Sequence, residues 1–167
     1  MAPIKKLSLI TALFFCHHYA PAQGHIPQTS AVHLSFGKST FTTIFSGGYT
    51  YFLSPKTFIY GQANYEYGED YLFKFQSISS DWLANHSLIN LNGNFYFNIG
   101  AGLSLAYERL QPDAAKGFNY GALIKAEAET FITDAISIGI WADQSFLTKK
   151  DIGNLRYRYG LGIKLFL

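Results

Sequence analysis

The chain has 167 residues, of which 49% are hydrophobic, 17% aromatic and only 14% charged. A soluble domain usually carries about 25% charged residues, so something other than water is expected to cover much of this surface. The low charge and many aromatic residues exclude a disordered chain, and a formal net charge of +2 is too small for a nucleic-acid-binding surface. No stretch reaches the roughly 18 consecutive apolar residues of a transmembrane helix.

The first 22 residues have the pattern of a cleaved signal peptide. A basic start precedes an apolar run over residues 7–16, and Ala20 and Ala22 supply the small residues of a cleavage site. We expect cleavage after Ala22, although the run is also consistent with an N-terminal core helix. Cleavage would remove Cys16, the single cysteine, so the exported chain would fold without disulfides.

The first half of the exported chain starts with a short polar periplasmic lead over residues 23–30. Segments of alternating hydrophobicity follow, and they predict strands at about 31–37, 45–53, 58–67 and 80–91. The alternation is less regular here than in the second half.

The second half contains the clearest strand, from Phe95 to Glu108. Its odd positions are apolar throughout, and its even positions are mostly small or polar, which is the period of a strand rather than a helix. The same alternation returns at 119–131, 136–146 and 156–167. The whole chain therefore predicts eight strands.

The connections between these strands alternate in length. The short ones are 54–57, 92–94 and 132–135, and the longer polar ones are 38–44, 68–79, 109–118 and 147–155. This alternation is typical of an up-and-down barrel with tight turns at one end and loops at the other. We predict an all-β fold, an eight-stranded antiparallel transmembrane β-barrel over residues 31–167.

The main structural alternative is a soluble lipocalin-like barrel, which also has eight alternating strands. Its outer face should be charged, whereas the non-apolar face here is rich in Gly, Ser and Asn. The apolar face instead carries aromatic residues at two levels, which is typical of a lipid-facing band: Phe95 and Phe97 at one level, and Tyr107, Tyr120, Tyr157 and Tyr159 at the other. The membrane barrel is therefore favoured, with small residues filling a narrow lumen.

Charged residues on the inward face of the second half balance, four acidic against four basic. They are Glu108, Glu127, Glu129 and Asp143, and Lys125, Arg156, Arg158 and Lys164. Buried charges need partners, so we predict an interior network without a pore. The alternative is a proton or ion path.

Catalytic, cofactor-binding and metal-binding residues are not predicted. His25, His33 and His86 have no neighbouring carboxylate at a telling spacing, and no Cys/His cluster has metal-ligand spacing. The sequence therefore indicates a protein that is not an enzyme. A lipid-modifying enzyme with a His, a Ser and a carboxylate at the rim is the more remote alternative.

The last strand resembles the C-terminal signal that the barrel-assembly machinery reads in its clients. Its features are Gly160, Gly162, Leu165 and Leu167. The signal prefers a final aromatic residue, whereas Phe166 here lies one place out of parity.

The segment from Asn98 to the end resembles the conjugative-transposon protein TraO family, small envelope components of conjugation systems in Gram-negative anaerobes and their relatives. The matching residues follow the family's order and approximate spacing over roughly the last 70 residues. They are Asn98-Ile99-Gly100, Ala106-Tyr107-Glu108, Asn119-Tyr120-Gly121, Glu127 through Asp134, Gln144, Asp151, and Arg158 through Lys164.

The resemblance implies a structural outer-membrane component of a DNA-transfer apparatus that acts through protein contacts. Its expected partners are outer-membrane lipid, the barrel-assembly machinery and other conjugation proteins, without direct contact to nucleic acid. The alternative function is a stand-alone barrel of the opacity or adhesin type that acts through its extracellular loops.

Overall fold

The computed structural model describes residues 24–69, 74–111, 116–149 and 155–167. It contains eight strands: β1 (Ser30–Ser39), β2 (Thr43–Phe52), β3 (Thr57–Glu69), β4 (Lys74–Leu91), β5 (Phe95–Gln111), β6 (Lys116–Thr133), β7 (Ile136–Leu147) and β8 (Leu155–Phe166). The predicted signal peptide, its cleavage site and Cys16 lie outside the described residues. Within those residues, no helix is long and apolar enough to cross a membrane.

The strands form one closed barrel in which every strand pairs antiparallel with its neighbours in the chain. β1 closes the barrel against β8, with a register that runs from Ala31 opposite Phe166 to Ser39 opposite Arg158. Closure leaves no unpaired strand edge, which is the condition for a sheet to sit in hydrocarbon. The predicted eight-stranded antiparallel transmembrane barrel is confirmed.

The three tight turns lie at the same end of the barrel as Ser30 and Leu167, and we call it the turn end. Asn92 and Gly93 both have positive φ angles, 54° and 75°, which these residue types tolerate in a hairpin turn. At the other two turns a hydroxyl accepts backbone bonds: Ser54 from Thr57 N at 3.0 Å, and Thr133 from Ile136 N at 3.1 Å.

The prediction of long polar links at the opposite end, the loop end, is wrong for most of the length of the first three, whereas the fourth falls between the end of β7 at Leu147 and the start of β8 at Leu155, as predicted. The β1–β2 connection has only residues 40–42 outside strands, and β3 and β4 remain paired up to Glu69 opposite Lys74. β5 and β6 remain paired up to Arg109 opposite Lys116. Polar residues pair their backbones as well as apolar ones do, so a loss of apolar character does not end a strand. Residues 70–73, 112–115 and 150–154 lie outside the described part.

Large apolar side chains cover the outside of the barrel. Leu103 is 69% exposed, and Ile78, Trp82 and Leu161 are each 63% exposed. The inward positions carry buried polar groups instead, such as Asp81 and Ser137 at 0% exposure. This distribution is the reverse of a soluble barrel and fits an exterior in lipid.

The apolar wall has the height of a bilayer core. On β5 the outward positions run from Phe97 near the turn end to Tyr107 near the loop end. At about 3.4 Å per residue and a tilt of about 40°, this segment spans about 26 Å, close to the apolar band of about 25 Å in membrane barrels. Gln111, further along the same face, then lies beyond the hydrocarbon.

Depth-dependent substitutions on β5 test this placement. Leu103→Arg is expected to lower the free energy of unfolding by about 2–4 kcal/mol, because it places a cation near the bilayer midplane. Gln111→Arg, on the same face of the same strand, is expected to cost about 0–1 kcal/mol. Urea titration in lipid vesicles, followed by heat-modifiable gel migration, measures both. Equal losses in the free energy of unfolding at the two positions would contradict this placement of the apolar band.

Candidate functional site

The lumen is filled with charged side chains, and all eight charged residues predicted from the second half point into it. Glu66 on β3 and Asp81 on β4 join them, with exposures of 3% and 0%. The lumen of the described residues therefore holds six carboxylates against four cations: the second half contributes four of each, as counted from the sequence, and the first half adds two acids. The two missed acids lie at inward positions of the less regular first half, so the parity rule applied there would have found them.

Three of the four cations each bridge two carboxylates, and together they form three layers along the barrel axis. All three cations lie on β8. We call these the loop-end layer (Glu66, Arg156, Glu108), the middle layer (Asp81, Arg158, Asp143) and the turn-end layer (Glu127, Lys164, Glu129).

The loop-end layer lies across the loop-end mouth of the lumen. Arg156 donates to Glu108 at 2.6 Å and to Glu66 at 3.4 Å, and its guanidinium carbon lies 5.0 Å from the centre of the Phe75 ring. Asn119 donates to Glu108 at 3.0 Å, which helps to fix the carboxylate. The Arg156 side chain is 11% exposed, so this layer meets water.

The middle layer is the most deeply buried. Arg158 lies opposite Asp143 in the β7–β8 register and donates to both of its oxygens, at 2.7 and 3.1 Å. It also reaches across the lumen to Asp81 at 2.8 Å. Asp81 accepts further bonds from Gln62, Asn64 and Ser104. Every charged group in this layer therefore has an ion-pair or hydrogen-bond partner, as a low-dielectric interior requires.

In the turn-end layer, Lys164 donates to Glu127 and to Glu129, each at 2.8 Å. Glu129 also accepts from Ser137 at 2.5 Å. The same carboxylate meets the histidine of the N-terminal lead, so this layer connects the lumen to the turn-end mouth.

Lys125 is the lumen cation for which the described residues provide no ion pair. It donates to the Tyr60 hydroxyl at 2.8 Å, and its ammonium lies 4.0 Å from the centre of the Tyr60 ring and 5.3 Å from that of Trp141. The ring faces carry negative charge and stabilise the cation. A Cβ on Gly37 or Gly160 would come within 2.8 Å of the Trp141 ring, so the bare backbone there makes room for the indole.

The N-terminal lead, predicted to be a short polar periplasmic segment, folds into the turn-end mouth of the barrel. His25 is 4% exposed and stacks on Tyr96, with ring centres 3.9 Å apart. Its ring contacts Phe52, Phe58, Phe131 and Phe166 at 4.6–6.2 Å, and we call these aromatic residues with Tyr96 the floor. The sequence has no carboxylate at a telling spacing from His25, and folding supplies its partners from positions more than 60 residues away.

The floor also explains why Phe166, the aromatic residue near the C-terminus, points into the lumen. Phe166 turns inward and packs against Phe52 and Phe131, at 5.6 and 4.8 Å between ring centres. Leu165 and Leu167 point outward, 49% and 70% exposed. Phe166 is thus out of parity because it belongs to the floor. The assembly role of Gly160, Gly162, Leu165 and Leu167 stays a prediction.

His25 brings together a serine and a carboxylate, the residue types of a hydrolase. Its Nε2 lies 3.3 Å from Glu129 and its Nδ1 3.4 Å from Ser87. Ser87, however, donates its proton to Asn98 at 2.6 Å, and Glu129 is held by Lys164. A nucleophile must be free to pass its proton to the histidine, so this arrangement favours anchoring of the lead over catalysis.

The described residues provide no metal cluster, and one cavity in the lumen is small. No group of three or more His, Cys, Asp or Glu residues among them is arranged to hold a metal ion. The lumen cavity beside His33, Tyr60 and Trp141 has a volume of about 10 Å³, room for about one water molecule.

At the loop end, β3 and β4 end in an exposed ion pair. Lys74 lies 2.6 Å from Glu69, and Tyr67 donates a second bond to the same carboxylate. The bond from Lys74 lowers the pKa of Glu69, and the bond to Glu69 raises the pKa of Lys74. Both groups are therefore charged at neutral pH, and the pair is electrically neutral.

Comparisons with known proteins support the fold. No family model and no curated protein matches the sequence. The N-terminal β-barrel domain of Pseudomonas aeruginosa OprF has a TM-score of 0.68 at 14% identity, covering 84% of this chain and 98% of that one. Ail, the attachment invasion locus protein of Yersinia pestis, has a TM-score of 0.56 at 13% identity, covering 85% and 100%. The outer membrane enzyme PagL has a TM-score of 0.52 at 16% identity, covering 81% and 98%. At these identities the likeness is one of fold.

Proposed function

We propose that this chain is a structural outer-membrane component of a conjugative DNA-transfer apparatus that acts through protein contacts and not by catalysis or transport. The observation that supports a structural role is the filled lumen. Its three charged layers and the floor bury their side chains across the lumen of the described residues, and a lumen filled in this way favours a structural role over transport.

Outer-membrane location is supported by the apolar exterior and by the similar fold of the outer membrane enzyme PagL. In an outer-membrane barrel the short turns face the periplasm, so the turn end would lie on the periplasmic side and the loop end would face the medium. Cell fractionation of tagged protein tests the location independently of any role in transfer. Recovery in the cytoplasmic or inner-membrane fraction would contradict it.

The conjugation role rests on the resemblance to the TraO family over the second half of the chain. Several of the residues that carry it lie in the lumen network, among them Glu108, Glu127, Glu129, Arg158 and Lys164. The resemblance therefore implies a similarly filled barrel, and contacts with other transfer proteins would then use the two ends.

Deletion of the gene in the donor strain tests this role. We expect the transfer frequency to fall and to be restored by the gene supplied in trans. Deletion in the recipient strain is the matched control and should leave the frequency unchanged. Normal transfer from the deleted donor would contradict the role.

The second candidate is a stand-alone surface barrel of the opacity or adhesin type. Two observations favour it: the similarity of fold to Ail, and the extension of β4, β5 and β6 to 17 or 18 residues, longer than the roughly 9–11 residues that span a membrane. In this case the deletion strain would transfer DNA normally but lose attachment to surfaces or cells.

A further inference from the structure

A polar side chain interrupts the apolar outer wall on β7. Gln144 lies at an outward position of this strand, between the buried residues of the inward face. Its outward neighbours along β7 are Ala142 and Phe146, and its sheet partners are Ile124 on β6 and Tyr157 on β8. The Gln144 amide is therefore surrounded by apolar and aromatic side chains.

The strand register places Gln144 within the apolar band. The row of sheet partners that starts at Ser30, at the turn end, passes through Ala101 on β5 and Gln144 on β7 and ends at Tyr157. At about 3.4 Å per residue and a tilt of about 40°, Ala101 lies about 16 Å below Tyr107. The row rises by about 6 Å from β5 to β7, so Gln144 lies about 10 Å below the level of Tyr107. Lipid chains at this depth offer no hydrogen bonds.

The side chain of Gln144 makes a single hydrogen bond with the described residues. Its Nε2 donates to the backbone carbonyl of Ser145 at 3.2 Å. A glutamine amide can donate two bonds and accept two, so one N–H and the Oε1 have no partner among these residues. Phe146 and Leu155, which are exposed sheet partners, separate the amide from the connection over residues 150–154. Because unpaired polar groups are costly in hydrocarbon, the amide favours a neighbour that can hydrogen-bond.

The wall around Gln144 alternates between depressions and projections. Two depressions, with volumes of about 660 and 590 Å³, lie side by side and share Ala126, Ala142 and Tyr157 in their linings. Ile124 and Tyr157 project beside the alanines, each 51% exposed. Small residues next to larger ones allow two membrane-embedded walls to approach closely and interlock.

We propose that this face of β6, β7 and β8 binds a second copy of the chain across a two-fold axis close to Gln144. A two-fold interface requires a self-complementary surface. The glutamine amide meets this requirement, because its free N–H can donate to the Oε1 of Gln144 in the other copy and its own Oε1 can accept in return. Ile124 and Tyr157 of one copy fit the depressions beside the alanines of the other. A lipid chain would fill the depressions but leave the amide unpaired. The inference rests on the membrane location of the barrel and is independent of the conjugation role.

Energy transfer between labelled copies in lipid vesicles tests the proposal. Lys56→Cys, at an exposed position of the turn end, carries a donor dye in one batch of the full-length barrel and an acceptor dye in another. A Cys16→Ser background makes this thiol unique. The two batches are reconstituted together, and transfer is measured while the protein-to-lipid ratio is varied. We expect transfer to saturate well above the level of randomly placed monomers.

Two variants on the proposed face and one on the far side of the barrel identify the interface. Gln144→Leu removes the amide and should raise the protein-to-lipid ratio of half-maximal transfer about tenfold. Ala142→Trp fills a depression and should also raise this ratio. Ala63→Trp, at an outward alanine of β3, is the matched control and should leave the ratio unchanged. Heat-modifiable migration verifies that each variant is folded.

Three results would overturn the proposal. Transfer at the level of random monomers at every ratio would assign the depressions to lipid chains. An unchanged ratio in Gln144→Leu would mean that the amide does not bind a second copy. Equal shifts in Ala63→Trp and Ala142→Trp would mean that the interface is not on this face. Cell fractionation and DNA transfer do not depend on association of two copies, so failure here leaves the proposed function to its own tests.

Discussion

Arg158→Ala is expected to lower the free energy of unfolding by about 3–5 kcal/mol, the usual cost of removing one partner from a buried ion pair. The substitution leaves two carboxylates, Asp81 and Asp143, facing each other without a cation in a nearly dry lumen. Asp143→Ala should cost less, because Arg158 keeps its bond to Asp81 at 2.8 Å. Thermal unfolding of the detergent-purified barrel measures both.

The matched control is Arg156→Ala, which removes the same side chain from the same strand and also separates two carboxylates. Its layer meets water, so the expected loss is smaller. The double variant Arg158→Ala/Asp143→Asn should recover part of the loss, because it removes one of the two unpaired charges. Equal losses at the two arginines, or strictly additive effects in the double variant, would contradict the bridging role of Arg158.

Phe52→Ala is expected to cost about 3–5 kcal/mol, the range for removal of a buried phenylalanine. Phe52 is 0% exposed and packs against His25, Phe58 and Phe166 in the floor. Its loss should also release the lead, so the backbone amide of His25 should exchange with deuterium faster. Denaturant unfolding and hydrogen exchange measure the two effects.

Phe45→Ala on the same strand is the control for Phe52. Phe45 points outward, is 55% exposed and packs edge-to-face on Phe36 at 5.2 Å. Its removal leaves no buried cavity, so the expected cost is smaller and the lead should stay protected. Faster exchange at His25 in both variants, or in neither, would contradict the floor as the anchor of the lead.

Much of the fold is predictable because a strand sorts its side chains with a period of two. The alternation from Phe95 to Glu108 is sufficient to place Glu108 inside the lumen and Tyr107 outside. The Asn92-Gly93 turn is also predictable from the sequence, because few residue types accept two positive φ angles in succession. The lengths of the loop-end links cannot be predicted in the same way, because backbone pairing continues through polar residues after the alternation of side chains has faded.

The contacts of the candidate site are less accessible to sequence reasoning. Parity indicates that a side chain points inward, but it does not indicate which residue across the lumen meets it. The pairing of Arg158 with Asp81 depends on the stagger of strands on opposite walls, and that of His25 with Glu129 depends on how the lead enters the mouth. Neither is encoded in local spacing.

We expect the barrel lumen to be filled by its own side chains and the protein to act without conducting solutes. Reconstitution of the full chain into a planar lipid bilayer, with current recorded at constant voltage, tests it most directly. The predicted result is a current at the level of the protein-free bilayer, with the Arg158→Ala variant recorded in parallel to probe the role of the middle layer. A steady open level in the unmodified barrel would contradict the claim, because it would mean that the charged layers line a path and do not fill it.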